Sequence, residues 1–145
     1  MTTLERADHR NEVHRTLLRG MDSGMPERHC ILVVEDEPIM RMNARDMLED
    51  AGFGVLEAEN ADTALHLLER HGDEVAALFT DIHMPGSMDG MDLARTVHER
   101  WPHIVPVVTS GRLRLRDNDV PDSGRFIDKP YRMAEVVGAV RDALR

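Results

Sequence analysis

The chain predicts an α/β fold built on one open, parallel, five-stranded sheet, doubly wound with helices on both faces, and three observations predict it. From Cys30 onward, apolar runs of four or five residues alternate with segments of helical period, the pattern of repeated βα units. The first run, about 30–34, is apolar at every position, as a central strand covered on both faces requires. Four runs also end on polar residues: Glu35-Asp36 after Ile31–Val34, Asp81 after Ala76–Phe79, Ser110 after Val105–Val108, and Lys129 after Phe126-Ile127. In an open parallel sheet the carboxyl ends of the strands gather where ligands bind, so acids, hydroxyl and lysine meet in one crevice.

The elements follow in order. After the first strand, Pro38 suits a first helical turn, where its missing N–H would go unpaired anyway. That helix runs to about Ala51 with Met40, Ala44, Met47, Leu48 and Ala51 inward, and Gly52 supplies the left-handed residue that stops it. Strand two, near 55–58, alternates faces and reads as an edge. Asn60 caps a second helix carrying Ala64, Leu65 and Leu68, closed by Gly72. Strand three covers about 75–80. Asp89 caps a third helix carrying Leu93, Ala94, Val97 and Trp101, and Pro102 ends it. Strand four covers about 104–109 and strand five about 125–128; a last helix from Met133 buries Val136, Val137, Val140 and Leu144. Between them, residues 111–125 contain Gly111, Pro121 and Gly124, with Leu113 and Leu115 at period two, so the fourth helix is expected to be shortened or irregular.

With 145 residues, 41% hydrophobic and 31% charged, the chain has the balance of one soluble domain. Residues 1–28 hold five acids and five arginines, with Leu4, Val13, Leu17, Leu18 and Met21 at loosely helical spacing, and read as an N-terminal extension, a tail or short helix. The whole net charge of −9 therefore lies in residues 29–145, which makes a polyanion such as nucleic acid a poor partner. Cys30 is the only cysteine, which leaves no intrachain disulfide and no cysteine zinc site and fits a reducing compartment. The N-terminus lacks a signal-peptide core and no apolar run approaches membrane-spanning length, so a cytoplasmic location is expected. His9 and His14 miss the spacing that would put two ligands on one helical face, and all eight histidines read as surface residues.

The strand-end residues suit phosphoryl transfer. Asp81 is the candidate nucleophile, because a carboxylate can attack a phosphoryl donor once the charge on both partners is neutralised. Glu35 and Asp36 add two carboxylates that would hold a hard divalent ion, and magnesium suits them because it takes oxygen ligands and completes its octahedron with water and phosphate oxygens. Lys129 brings a compact positive charge, and the hydroxyl of Ser110 or Thr109 can donate to a phosphoryl oxygen. Taken singly, each residue has an ordinary structural use: acids favour helix N-termini, and Asp81 or Thr109-Ser-Gly111 would serve in a turn. Four separate strand ends converging on one chemistry outweigh those readings.

Residues 29–145 resemble the receiver domain of two-component response regulators, whose fold is flavodoxin-like. The resemblance is carried by Val33-Val-Glu-Asp-Glu-Pro38, Thr80-Asp-Ile-His-Met-Pro85, Met88-Asp-Gly90, Val108-Thr-Ser-Gly111 and Asp128-Lys-Pro-Tyr131, in order and spacing. It implies that Asp81 is phosphorylated by a histidine kinase or a histidine phosphotransfer protein. It further implies that Asp36 is a direct magnesium ligand, that Glu35 acts through a bound water, and that the His83 backbone carbonyl is a further ligand. Lys129 matches the phosphate-pairing lysine, Lys129-Pro130 a cis peptide bond, and Phe126 the aromatic position whose rotamer reports activation. Ser110 is preferred over Thr109 as switch hydroxyl, since small Gly111 follows it and its distance from Asp81 fits the family better. Two departures stand out: Gly86-Ser87 lengthens the loop after Asp81, and the poor helix at 111–125 falls on the usual output face.

The expected function is that of a single-domain response regulator which catalyses only its own phosphorylation and dephosphorylation. Its output would be a contact with a downstream protein target or a further phosphorelay step, with homodimerisation left open. A phosphorylation-independent adaptor is the alternative. An aspartate-nucleophile phosphatase is less favoured, because it needs a second acid two residues after the nucleophile, where this chain has His83. A nucleotide or flavin binder of the same topology would want a phosphate loop after strand one, where this chain has acids. His83, two residues after Asp81, is more simply read as a residue exposed beside the site; the alternative is that its side chain positions water or tunes the lifetime of the phosphoryl group.

Overall fold

The computed structural model describes residues 29–86, 88–111, 119–120 and 124–145. Five parallel strands, β1 (Cys30–Val34), β2 (Gly54–Ala58), β3 (Val75–Asp81), β4 (Val105–Ser110) and β5 (Arg125–Asp128), form one sheet in the order β2-β1-β3-β4-β5. The chain steps outward from β1 to β2 and then returns to lay β3 on the other side of β1. That reversal opens a crevice beyond the carboxyl ends of β1 and β3.

Among the described residues four α-helices cover the sheet: α1 (Pro38–Asp50), α2 (Ala61–His71), α3 (Gly90–Arg100) and α4 (Met133–Ala143). One face packs Ala44, Met47 and Leu48 of α1 and Val136 and Val140 of α4 against Ile31, Val33, Ala77, Phe79 and Val107. The other packs Ala64 and Leu68 of α2 and Leu93, Ala94 and Val97 of α3 against Leu32, Val34, Leu78 and Val108. The valine, leucine, isoleucine, methionine and phenylalanine side chains among these, removed from water, each contribute about 1.5–3 kcal/mol to folding. β1 is buried along its whole length, as its unbroken apolar run predicts.

Local chemistry sets the helix ends. Pro38 opens α1, and Gly52, at φ +100°, closes it: the Gly52 N–H donates to the Glu49 carbonyl and the Phe53 N–H to the Leu48 carbonyl, both at 3.0 Å. Asn60 accepts from the Thr63 N–H at 2.8 Å at the start of α2. Asp89 and Asp92 form a reciprocal capping box at the start of α3.

Several expectations need adjusting. β2 is the edge strand, but it is buried at every position except half-buried Glu57, because Val55 packs under one helical layer and Leu56 under the other. Gly72 closes α2 with right-handed angles and passes into one turn of 3-10 helix over Gly72–Glu74; a Cβ there would overlap the Trp101 indole nitrogen, so glycine leaves room for the ring. β4 extends through Ser110, and in α4 only Val136 and Val140 are fully buried, with Val137 and Leu144 half-covered at its margin. The expected N-terminal extension, and residues 112–118 and 121–123 of the expected irregular helix, lie outside the described residues.

Candidate functional site

Asp81 is the last residue of β3, and its side chain enters the crevice nearly buried, at 7% exposure. The Lys129 ammonium, carried just past the end of β5, donates to Asp81 Oδ2 at 2.6 Å and lies 4.0 Å from Glu35 Oε1. Asp81 Oδ1 accepts the His83 backbone N–H at 3.2 Å. The strand-end backbone is tied across the crevice as well: the Ile82 N–H donates to the Thr109 carbonyl and the Lys129 N–H to the Ser110 carbonyl. The Lys129-Pro130 peptide is cis, as the resemblance implied.

Glu35 follows β1 and is buried, whereas Asp36 beside it is exposed. One carboxylate oxygen from each of Glu35, Asp36 and Asp81 lies within 4.8 Å of the others. Burial pushes the Glu35 carboxyl above its ordinary range, helped by the charges of Asp81 and Asp36 and opposed by the Glu37 N–H and by Lys129. Three convergent carboxylates, one of them paying for burial in its proton affinity, fit a hard dication, which would neutralise the repulsion they share. Their oxygens suit magnesium or calcium far better than a soft metal.

The two hydroxyls are placed differently. Asp81 is in register with Thr109, Val108 with Phe126, and Ser110 with Asp128. Side chains alternate along a strand, so Ser110 shares a face with Val108 and Phe126 and Thr109 shares one with Val107 and Ile127. Both hydroxyls are buried, and Thr109 Oγ1 has no hydrogen-bond partner among the described residues. Phe126 is half-buried against the α2–α3 side of the core. His83 is half-buried with its Nε2 buried and unpartnered among the described residues, so it is not the simple surface histidine expected.

Three further residues shape the site. Gly90, the first residue of α3, packs on the backbone of Asp81 and donates its N–H to the Ile82 carbonyl at 2.8 Å. Tyr131 stacks edge-on against Phe79, two residues before Asp81, with ring centres 5.9 Å apart; burial, with the charges of Glu35 and Asp81, pushes its phenol up to about 12. Arg41 donates to the Glu35 carbonyl at 2.8 Å. Gly90 and Tyr131 stand inside the motifs Met88-Asp-Gly90 and Asp128-Lys-Pro-Tyr131, which signal the positions but not these packing roles, and nothing local marks Arg41. A groove of about 780 Å³ flanks the crevice between α1 and the start of α4, lined by Met40, Met47, Lys129, Tyr131 and Met133 among others.

The response regulator receiver domain profile matches residues 31–141. The response regulator receiver protein CpdR of Brucella abortus is 31% identical over 117 residues, spanning 79% of this chain and 95% of that protein. The sensor kinase CckA of the same organism is also 31% identical over 117 residues, but there the match spans only 12% of the relative's length. A crystal structure of a response regulator receiver protein from Sinorhizobium medicae superposes with a TM-score of 0.73 at 32% identity, covering 81% of this chain and 95% of that one. With its profile, its relatives and its five-stranded sheet in agreement, the chain belongs to the response regulator receiver domain family.

Proposed function

We propose that this chain accepts a phosphoryl group on Asp81 from a phosphohistidine of a histidine kinase or phosphotransfer protein, and that the resulting acyl phosphate changes the surface it offers to a protein target or passes the group onward. The observation that carries the reading is the pairing of Asp81 Oδ2 with Lys129 Nζ at 2.6 Å beside two further carboxylates. In the transfer, the donor's N–P bond breaks as an Asp81 oxygen forms the new O–P bond. Lys129 sits where it can follow the charge from the carboxylate to the phosphoryl oxygens. Ser110 then donates its hydroxyl to a phosphoryl oxygen, and that movement reaches Phe126 on the same face of the sheet.

Magnesium is the proposed cofactor, held by Glu35, Asp36, Asp81 and the His83 carbonyl, and it would supply neutralisation of the phosphoryl charge. The chain on this reading catalyses only its own phosphorylation and its reversal. The likeness to the response regulator receiver protein CpdR over nearly all of that protein supports the receiver as the working unit. Exposed Ile39 and Met42 of α1 and Met133 of α4 offer apolar footing beside the crevice for the donor. Residues 29–145 are proposed as the working domain, so a chain beginning at Glu27 should label as fast as the whole.

The test is incubation of the purified protein with magnesium and a small phosphodonor, followed by mass spectrometry. A base-labile gain of one phosphoryl group on Asp81 is expected. A protein that stays unmodified while remaining folded would return the reading to a phosphorylation-independent adaptor.

A further inference from the structure

Arg41 stands at the fourth position of α1, where the helix dipole favours anions, so helix energetics give no reason for a cation there. Its contacts point elsewhere. One guanidinium nitrogen donates to the Glu35 carbonyl at 2.8 Å, and Nε lies 3.5 Å from Glu57 Oε1 on β2. The other Glu57 oxygen takes Arg45 Nη1 at 3.2 Å, so the acceptor that braces Arg41 is itself held by the next turn of α1. On the other side of the same residue, the Glu35 N–H donates to the Ala58 carbonyl at 3.0 Å. Both peptide groups of Glu35 are therefore clamped, one by β2 and one by Arg41. The Glu35 carbonyl lies in the peptide plane that carries the Asp36 N–H, and fixing that plane fixes the point from which the exposed Asp36 side chain projects.

We propose that Arg41, braced by Glu57, is a positioning residue that holds the Glu35-Asp36 turn in the geometry that binds a divalent cation. This rests on the reading of Glu35, Asp36 and Asp81 as a magnesium site. The sign of the effect separates positioning from plain electrostatics. Removing a positive charge beside an acidic cluster should tighten cation binding by Coulomb's law alone. Loss of a group that orients metal ligands should weaken it, typically by tenfold or more.

The test is calorimetric titration of magnesium chloride into the full chain, with thermal melts in chelator to confirm that each variant is folded. Arg41→Gln should bind magnesium about tenfold more weakly than wild type. Arg41→Lys, which keeps the charge but loses the planar fork that spans carbonyl and carboxylate, should fall between them. Arg95→Gln removes the same charge from an exposed position on α3, where Arg95 pairs with Asp92 and touches none of the three carboxylates, and should leave the affinity unchanged. Equal or tighter binding by Arg41→Gln overturns the proposal; if that variant does not fold, wild-type affinity in Arg41→Lys overturns it instead. A wild type that binds no magnesium removes both the site and the inference. A wild type that binds magnesium but takes no label removes only the phosphoryl-acceptor reading.

Discussion

Gly90 packs so closely on Asp81 that a Cβ at position 90 would overlap the Asp81 carbonyl oxygen. The first turn of α3 is thereby seated directly on the end of β3, at the backbone of the proposed acceptor. Gly90→Ala should push helix and strand apart, since the obstructing atoms are backbone and have no rotamer to yield. A loss of about 2 kcal/mol in denaturant unfolding, within the range for overpacked sites, is expected together with slower labelling of Asp81. Unchanged stability would show that α3 is free to shift.

Asp81→Asn should keep the fold and abolish labelling, because the amide retains the shape and the His83 N–H contact while losing the nucleophile. Mass spectrometry after treatment with a phosphodonor decides it. A variant that labels as well as wild type would mean another residue accepts the group.

Thr109 and Ser110 make opposite predictions. Thr109 Oγ1 is buried with no partner among the described residues, and burying a hydroxyl unpaired costs about 1–3 kcal/mol, so the near-isosteric Thr109→Val should raise stability by about 1 kcal/mol and leave labelling intact. Ser110→Ala should allow phosphorylation but uncouple it from NMR shift changes near Phe126. If Thr109→Val produces the uncoupling instead, the switch hydroxyl is Thr109.

Glu35, Asp36 and Asp81 set like charges close together, and Lys129, paired with Asp81 and 4.0 Å from Glu35, leaves exposed Asp36 without that compensation. Asp36→Asn removes one of these charges and one proposed ligand. In chelator it should melt above wild type, while wild type should gain about 2.7 kcal/mol at a hundredfold excess of magnesium over its dissociation constant and the variant much less. Thermal melts of both proteins, with and without the ion, read both halves.

Tyr131 supplies a pH signature. Its phenol is held at about 12 when folded, above the ordinary value near 10, so the folded state keeps a proton that the unfolded chain releases. The stability this represents is complete below about pH 10 and is lost as pH rises through about 12. Tyr131→Phe should therefore lose stability less steeply than wild type across that window. Parallel slopes in denaturant midpoint against pH would place the phenol in water.

What could be read along the chain was what neighbours along the chain decide. The apolar run of β1, the Pro38 start and Gly52 stop of α1, the Asn60 and Asp89 caps and the polar ends of four runs each rest on contacts within a few residues, which composition and period express directly. These also placed the acids and Lys129 at strand ends before any strand had a neighbour. Tertiary structure alone decided the rest. Whether β2 shows a wet face depended on two helices closing over Val55 and Leu56. Gly72 is glycine because of Trp101, 29 positions later, and Gly90 because of the Asp81 backbone. The register that sets Thr109 beside Asp81, and leaves Ser110 on the face of Phe126, comes from strand pairing across separate βα units. Arg41 and Glu57 meet because α1 folds back over β2, and no periodicity marks a carbonyl as the target of a guanidinium. Such contacts join residues that chain entropy keeps apart until the core forms, so they are written in the packing and not in the local pattern.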